Sequence, residues 1–377
     1  MKIAFDLRRI GNPGIGRYMK CLVEAVLQEH LDNEYVLLLP PDKCSLAIPD
    51  FCKLSCVIPR ARYYSIHEQI ELPRILREHR VDLLHSPHFL LPLALPCPAV
   101  VTIHDVIYLA CREDLPSPLG RLYYSAMMRA SSKCAKTIVT DSVFSKNEIV
   151  RYLHVRQQKL QVIYPAVDSS FQPVQDDYRL QQVLSKHGID GDYIFYTGIY
   201  KPRKNHAGLL KSFQHLLSAG AKAKLVISGP VGAGEHALQR LAAELEISSH
   251  VIFTGFVNDA ELCALYSAAR VYACPSTYEG FGFTVLEAMA CNVPVVCSNS
   301  ASLPEVAGDA ALYADARNPE KFAYALHRAL VDENLRRQLI SRGFRNLQRF
   351  SWKNAAAACL SAYEEVAGQS LYEPAAA

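Results

Sequence analysis

Short apolar runs alternate with helix-patterned stretches along this chain, and that alternation leaves few folds open. "KIAFDL" leads through "GNPGIG" into "RYMKCLVEAVLQEH", and "EYVLLLP" follows as a strand. The helical "IHEQIELPRILREH" precedes the strands "VDLLHS" and "AVVTIHD". "PLGRLYYSAMMRASSKC" and "SKNEIVRYLH" read as helices, "KTIVTDS" and "LQVIYPAVD" as strands. Parallel strands need a crossover between them, so strand–helix repetition implies parallel sheets with helices on both faces. The polar, proline-bearing "SSFQPVQDDY" interrupts the series and reads as a linker. The series restarts with "DYIFYTG", "NHAGLLKSFQHLLSAG", "AKLVISG", "EHALQRLAAELEI", "HVIFTG", "DAELCALYSAA" and "RVYACPS". The expected fold class is therefore α/β, with two doubly wound domains. A length of 377 residues suits two domains of roughly 100–200 each. The boundaries expected are residues 1–170 and 171–350, with 351–377 a helix packing back toward the first domain. The tail from "NPEKFAYALHRALVDENL" onward reads as helical throughout.

A net charge of +3 is too small to argue for nucleic acid as a partner. The 12 cysteines are scattered through apolar runs without paired zinc spacing, and most read as small core residues suited to a reducing cytoplasm. "MKIAFDLRRIG" carries charge too early for a signal peptide, and no stretch approaches the ~20 apolar residues of a spanning helix. The expected location is cytoplasmic, with contact at the inner face of the cell membrane peripheral at most.

In open parallel sheets ligands bind beyond the carboxyl ends of the strands, so the loops there are where chemistry is sought. "TYEGFGFTVLEAMACNVPVVCSN" places Glu279 at a turn and Glu287 about two turns into a helix, with Gly280 and Gly282 between. A helix N-terminus has free N–H groups that suit a phosphate, and the carboxylates beside it can accept hydroxyl hydrogens. Glu287 lies among apolar residues, where an unpaired carboxylate is costly. In "TGIYKPRKNHAGLL", Arg203 and Lys204 precede a helix start, which suits an anion between them; a solvated basic loop is the competing reading. "GNPGIGRY" offers Gly11, Gly14 and Gly16 for backbone approach to a diphosphate, but lacks the G-x-G-x-x-G spacing; a plain tight turn reads equally well. His104 in "VTIHDV", and His85 and His88 in "LLHSPH", stand at strand ends, where each is either a hydroxyl partner or a satisfied structural histidine. No carboxylate pair of fixed spacing accompanies them, so no metal site is expected.

With these residues in place the chain resembles the large retaining glycosyltransferase family 4, which includes glycogen synthases and bacterial mannosyltransferases. "GIGRY", "TIHD", "TDSVFSKNEI", "YPAVD", "PRKN", "GFVNDAEL", "YEGFGFTVLEAMACNVPVV" and "SLPEVAGDAALYAD" fall in that family's order, and the glutamates of "EGFGFTVLEAMA" carry the resemblance most specifically. It implies the GT-B fold: two facing Rossmann-like domains with an interdomain cleft. It further implies that Glu279 contacts hydroxyls of the donor sugar and Glu287 holds the ribose. Gly282 and Phe283 would offer N–H groups to sugar and phosphate, with Thr284 adding a phosphate contact. Lys204 and Arg203 would stabilise the leaving diphosphate, and Gly14 and Gly16 would approach it from the first domain. His104 would lie by the reacting carbon, and Gly255, Phe256 and Val257 would meet the base. Many relatives carry an arginine where this chain has Ile199, which shifts weight onto Arg203 and Lys204.

The same resemblance implies GDP-mannose as donor, no separate cofactor, and a glycan or lipid-linked saccharide as acceptor. UDP-hexoses and other GDP sugars stay open. "PRARYYSIHEQIELPRILREHR" is either a basic surface for a lipid diphosphate or a solvated helix face, since Glu68, Glu71 and Glu78 are interspersed. Two rival readings are a sugar-nucleotide epimerase of similar shape and a non-catalytic nucleotide-sugar-binding subunit. The second would be expected to lose some of Glu279, Glu287, Lys204 and His104, and all four are present.

Overall fold

The computed structural model describes the whole chain except residues 13, 30, 31, 42–45, 51, 116 and 373–377. It divides into two compact units, Met1–Pro165 with Ser351–Ala377, and Ala166–Phe350.

The first unit is built on β1 (Lys2–Asp6), β2 (Glu34–Leu38), β3 (Lys53–Val57), β4 (Leu83–Ser86), β5 (Ala99–Thr102), β6 (Thr137–Thr140) and β7 (Leu160–Val162). These form one parallel sheet in the order β3-β2-β1-β4-β5-β6-β7. Strands β4 and β5 are buried along their whole length, as continuous apolar runs covered on both faces should be. Helix Ile15–Glu29 buries Met19, Leu22, Val23, Val26 and Leu27, the i, i+3, i+4, i+7, i+8 stripe of a core-facing helix. Helix Trp352–Tyr372 packs against it, and its Tyr363 hydroxyl lies 2.6 Å from His85 Nδ1 on β4. The last helix of the chain thus helps to close the core of the first unit.

The second unit carries β8 (Tyr193–Thr197), β9 (Lys224–Ser228), β10 (Val251–Gly255), β11 (Val271–Cys274), β12 (Val295–Ser298) and β13 (Ala311–Ala314). All are parallel, in the order β10-β9-β8-β11-β12-β13. Strand order reverses between β1 and β4 in the first sheet and between β8 and β11 in the second, which is where a doubly wound sheet opens a crevice for ligands.

Three features depart from the sequence reading. Helix Asp177–Lys186 begins inside the stretch assigned as linker, because the Asp176 carboxylate accepts from the Tyr178 and Arg179 amides at 3.0 and 3.2 Å and caps it. The tail is not one continuous helix. It breaks where Asp332 leaves helical geometry and caps Glu333–Leu347, and again before Trp352. Strands β3 and β13 lie at sheet edges with one partner each, where part-exposed sequences such as "KLSCV" show no apolar run to announce them. Among the described residues no helix is long and apolar enough to cross a membrane.

Candidate functional site

In the second unit the Lys204 loop leaves β8 and the Glu279 loop leaves β11, the two strands at the reversal. Pro202–Lys204 form a single 3-10 turn, and Asn205 follows in the left-handed region at φ 53°. Its side chain accepts from the Gly208 amide, capping helix His206–Ser218, and donates to the Ala316 carbonyl at 2.7 Å. The Arg203 carbonyl accepts from the Thr277 amide at 2.8 Å and from its hydroxyl at 3.2 Å, tying the basic loop to the acidic one. Lys204 Nζ then reaches Glu279 Oε1 at 2.5 Å. Burial alone would raise the Glu279 carboxyl, but the Lys204 ammonium and the Arg203 guanidinium override it and hold it below the usual value. Ser302 Oγ donates to the Glu279 and Phe281 carbonyls at 2.9 and 2.8 Å, fixing the backbone of the glycine turn.

Helix Phe283–Ala290 starts directly after that turn. Gly282, at φ 108°, occupies the capping position with no side-chain cap. The capping glycine has no side chain to compete for the first N–H groups, the arrangement an anion needs. A Cβ at Gly282 would sit 2.9 Å from Leu303 Cδ2, a side-chain end that can give way, so it is the backbone conformation that demands glycine. Glu287 lies four residues after Phe283, about one turn into the helix rather than two, because the helix begins only after Gly282. Its Oε2 accepts from the Tyr266 hydroxyl at 3.1 Å, the kind of partner a carboxylate only 3% exposed needs. Thr284 and Phe283 stand in the first turn, half-buried. Gly255 ends β10 at φ 70°, followed by exposed Phe256 and buried Val257. Ile199 is exposed beyond the end of β8 and supplies no charge.

The first unit holds the remaining expected residues. Register pairs Thr102 of β5 with Val139 of β6; two residues further along each strand stand His104 and Asp141. His104 Nδ1 lies 2.7 Å from Asp141 Oδ2, and Nε2 lies 3.2 Å from the Pro87 carbonyl. Both ring nitrogens therefore face acceptors, which only the doubly protonated ring can satisfy. Burial would lower the His104 pKa, but the Asp141 carboxylate, then Asp105 and the Pro87 carbonyl, raise it above the usual value. The Tyr18 ring packs edge-on against the imidazole at 4.6 Å between centroids. Gly14 opens helix Ile15–Glu29 at φ 77° in open space, whereas a Cβ at Gly16 would lie 2.0 Å from the Ile10 carbonyl oxygen. His85 is a core residue, held between Tyr363 and Thr102 Oγ1 with its pKa lowered by burial to about 3.

Asp141 and Tyr266, the partners of His104 and Glu287, escaped the sequence reading. Asp141 was findable, since it follows a strand end just as His104 does. Tyr266 sits inside a helix whose apolar pattern gives no sign of a polar task.

The family described as "Glycosyltransferase Family 4" matches residues 14–171, and "Glycosyl transferases group 1" matches residues 182–346. The O-antigen chain mannosyltransferase B of Escherichia coli is 35% identical over 77% of this chain and 76% of its own length. The serotype-specific mannosyltransferase WbdA of E. coli is 30% identical over 69% of this chain, which spans only 32% of that longer protein. Among solved structures, sucrose-phosphate synthase of Thermosynechococcus elongatus is 19% identical, covers 97% of this chain and 99% of its own, and superposes with a TM-score of 0.76. The lipopolysaccharide-biosynthesis glycosyltransferase WaaG does so at 18% identity, 95% and 98% coverage, and a TM-score of 0.70. Two parallel Rossmann-like sheets, the glutamate-bearing turn and helix at the second reversal point, and these matches together make the chain a glycosyltransferase of family 4, with the GT-B fold.

Proposed function

We propose that this transferase moves mannose from GDP-mannose, with retention at the anomeric carbon and without a metal ion, to a glycan or lipid-linked saccharide. The observation that carries the reading is the Lys204–Glu279 pair beside the uncapped start of helix Phe283–Ala290. In this reading the helix start and Lys204 hold the diphosphate, Arg203 adds charge, Glu279 accepts from sugar hydroxyls and Glu287 from the ribose. As the glycosidic bond breaks, negative charge grows on the departing phosphate, where a fixed ammonium and oriented amides stabilise it most. The acceptor hydroxyl attacks the face the phosphate leaves, and a phosphate oxygen takes its proton, so configuration is kept without a protein nucleophile. His104, as an imidazolium, contributes to the turnover step.

Mannose as the sugar is supported by the relatives called mannosyltransferases. A UDP-hexose is the second reading, favoured by a structural neighbour, Anabaena HepE, solved in complex with UDP-glucose at 17% identity and a TM-score of 0.73. Work on a lipid-linked saccharide places the enzyme at the cytoplasmic membrane face in this reading. Calorimetric titration of the purified protein with GDP, UDP and ADP, without metal, tests it. Tight binding of GDP alone is expected, followed by transfer from GDP-mannose. Preference for UDP overturns the donor, and binding of none by folded protein overturns the site.

A further inference from the structure

Glu287 and its partner Tyr266 stand one helical turn from a pair of thiols that none of the roles above uses. Helix Asp259–Ser267 and helix Phe283–Ala290 are tied by the Tyr266 hydroxyl on Glu287 Oε2, at 3.1 Å. Cys263 lies three residues before Tyr266, and Cys291 lies four residues after Glu287, at the end of its helix. Where two helices run in opposite directions, one turn back on the first meets one turn forward on the second. The two thiols accordingly lie within hydrogen-bonding reach of each other. Both also reach the segment by which the chain enters the second unit. Cys263 Sγ donates to the Ser170 carbonyl at 3.4 Å, and Cys291 Sγ to the Gln172 carbonyl at 3.8 Å.

The pair is placed to react. Cys263, 5% exposed, lines a surface cleft of about 470 Å³ with Ser170, Gln172, Pro173, Asp176 and Arg179, whereas Cys291 behind it is 1% exposed. A small oxidant entering the cleft meets the first sulfur before the second. The hydrogen bond from the Cys291 thiol holds Cys263 below the usual thiol range against its burial, and the same bond with burial pushes Cys291 up. The outer sulfur is thus the better thiolate, and the thiolate is the form that attacks an oxidant. The inner sulfur stands where a resolving thiol is needed. Cys274 and Cys297 form a contrasting pair. They are neighbours across β11 and β12, but both are enclosed in the sheet and burial raises both thiols.

We propose that Cys263 and Cys291 form a reversible disulfide that switches nucleotide binding, with hydrogen peroxide as the oxidant. The Cys263 thiolate attacks one peroxide oxygen, the O–O bond breaks, and the leaving hydroxide takes a proton and departs as water. The Cys291 sulfur then attacks the Cys263 sulfenic acid and gives up its proton. The S–OH bond breaks, a second water leaves, and two thiols with one peroxide have become one disulfide and two waters. Closing the S–S bond to about 2.05 Å draws the two helices together one turn from the Tyr266–Glu287 bond. It also removes both S–H donors from the Ser170 and Gln172 carbonyls. The Glu287 carboxylate shifts with its helix, and nucleotide affinity falls. That consequence rests on the reading of Glu287 as the ribose partner; the disulfide itself does not.

The test treats the full chain with hydrogen peroxide, maps its cysteines by peptide mass spectrometry, and titrates GDP before and after. A Cys263–Cys291 disulfide is expected, with Cys274 and Cys297 still reduced. GDP affinity should fall about ten-fold, the scale of one hydrogen bond lost, and return with dithiothreitol. Cys263→Ala should bind GDP as the reduced wild type does and keep that affinity after peroxide. Folded protein in which peroxide leaves both thiols free, or takes Cys263 to sulfinic acid without the crosslink, overturns the pairing. A disulfide that leaves GDP affinity unchanged overturns the switch. If the reduced chain binds no GDP, the donor reading fails by itself, and hydrogen exchange of residues 259–291 becomes the readout. Exchange slowed by the disulfide then keeps the switch, and unchanged exchange overturns it.

Discussion

Glu279 and Glu287 share one short segment but have opposite neighbours, and their separate partners predict separate losses. Glu279 is paired with a cation and Glu287 with a phenol. Glu287→Ala removes a carboxyl acceptor, worth about 0.5–3 kcal/mol for each hydrogen bond it makes to a ligand, so GDP affinity should fall roughly 3- to 100-fold by calorimetry. Unchanged affinity removes the ribose role. Lys204→Met should lower kcat/KM by about 10²–10³-fold, the scale of losing one charge at a leaving group. It should also shift the pH profile. With Lys204 gone, burial raises the Glu279 carboxyl against only Arg203 and the Ser276 hydrogen bond, so the acid limb of kcat moves to higher pH. An unmoved limb would mean that Glu279 does not titrate in turnover. Both glutamates and Lys204 were legible in the sequence because parallel strands deliver their loops to one edge. Their partner Tyr266 was not: a phenol on a buried helix face looks like any core aromatic until its hydroxyl is found on a carboxylate.

Burial made the central strands legible. Central strands such as β4, β5 and β11 are continuous apolar runs because both faces are covered, whereas edge strands β3 and β13 escaped notice. Helix boundaries were less legible, because capping decides them: Gly282 delays one helix and places Glu287 a turn earlier, and Asp176 starts another inside an apparent linker. The start of helix Phe283–Ala290 makes a prediction at this scale. Gly282→Ala must hold an alanine at φ 108° and push Leu303 Cδ2 away from 2.9 Å. Such backbone strain costs on the order of 1–3 kcal/mol, so the variant should melt lower and bind GDP more weakly. Wild-type GDP affinity at full occupancy of the folded state would mean that the first-turn N–H groups do not touch the phosphates.

At the scale of the whole chain, the first unit closes only when residues from the far end of the sequence return to it, and its buried histidines make that closure sensitive to pH. His85, between Tyr363 and Thr102, has its folded pKa lowered by burial to about 3, and that of His88 is also well below 6.5. For both, the unfolded chain takes up the proton first as pH falls. Their stabilisation is therefore complete above about pH 6.5 and is lost below it, by up to ~1.4 kcal/mol per pH unit for each ring. His104 has the opposite sign. Its raised folded pKa gives stability that is full below the unfolded value of 6.5 and is lost as pH rises through the folded value. The second unit has buried His206, lowered to about 3 by burial and Lys204, and His187, lowered by burial. Hydrogen exchange across pH 5–8, roughly the histidine range, should then show the first unit losing protection toward both ends and the second only toward acid. His104→Gln should abolish the alkaline-side loss and leave the acid-side loss in place. Tyr363→Phe, which takes away the hydroxyl 2.6 Å from His85 Nδ1, should lower the first unit's protection by about 1–3 kcal/mol and leave residues 166–350 unchanged. If the tyrosine variant weakened both units equally, the C-terminal helix would not belong to the core of the first unit alone.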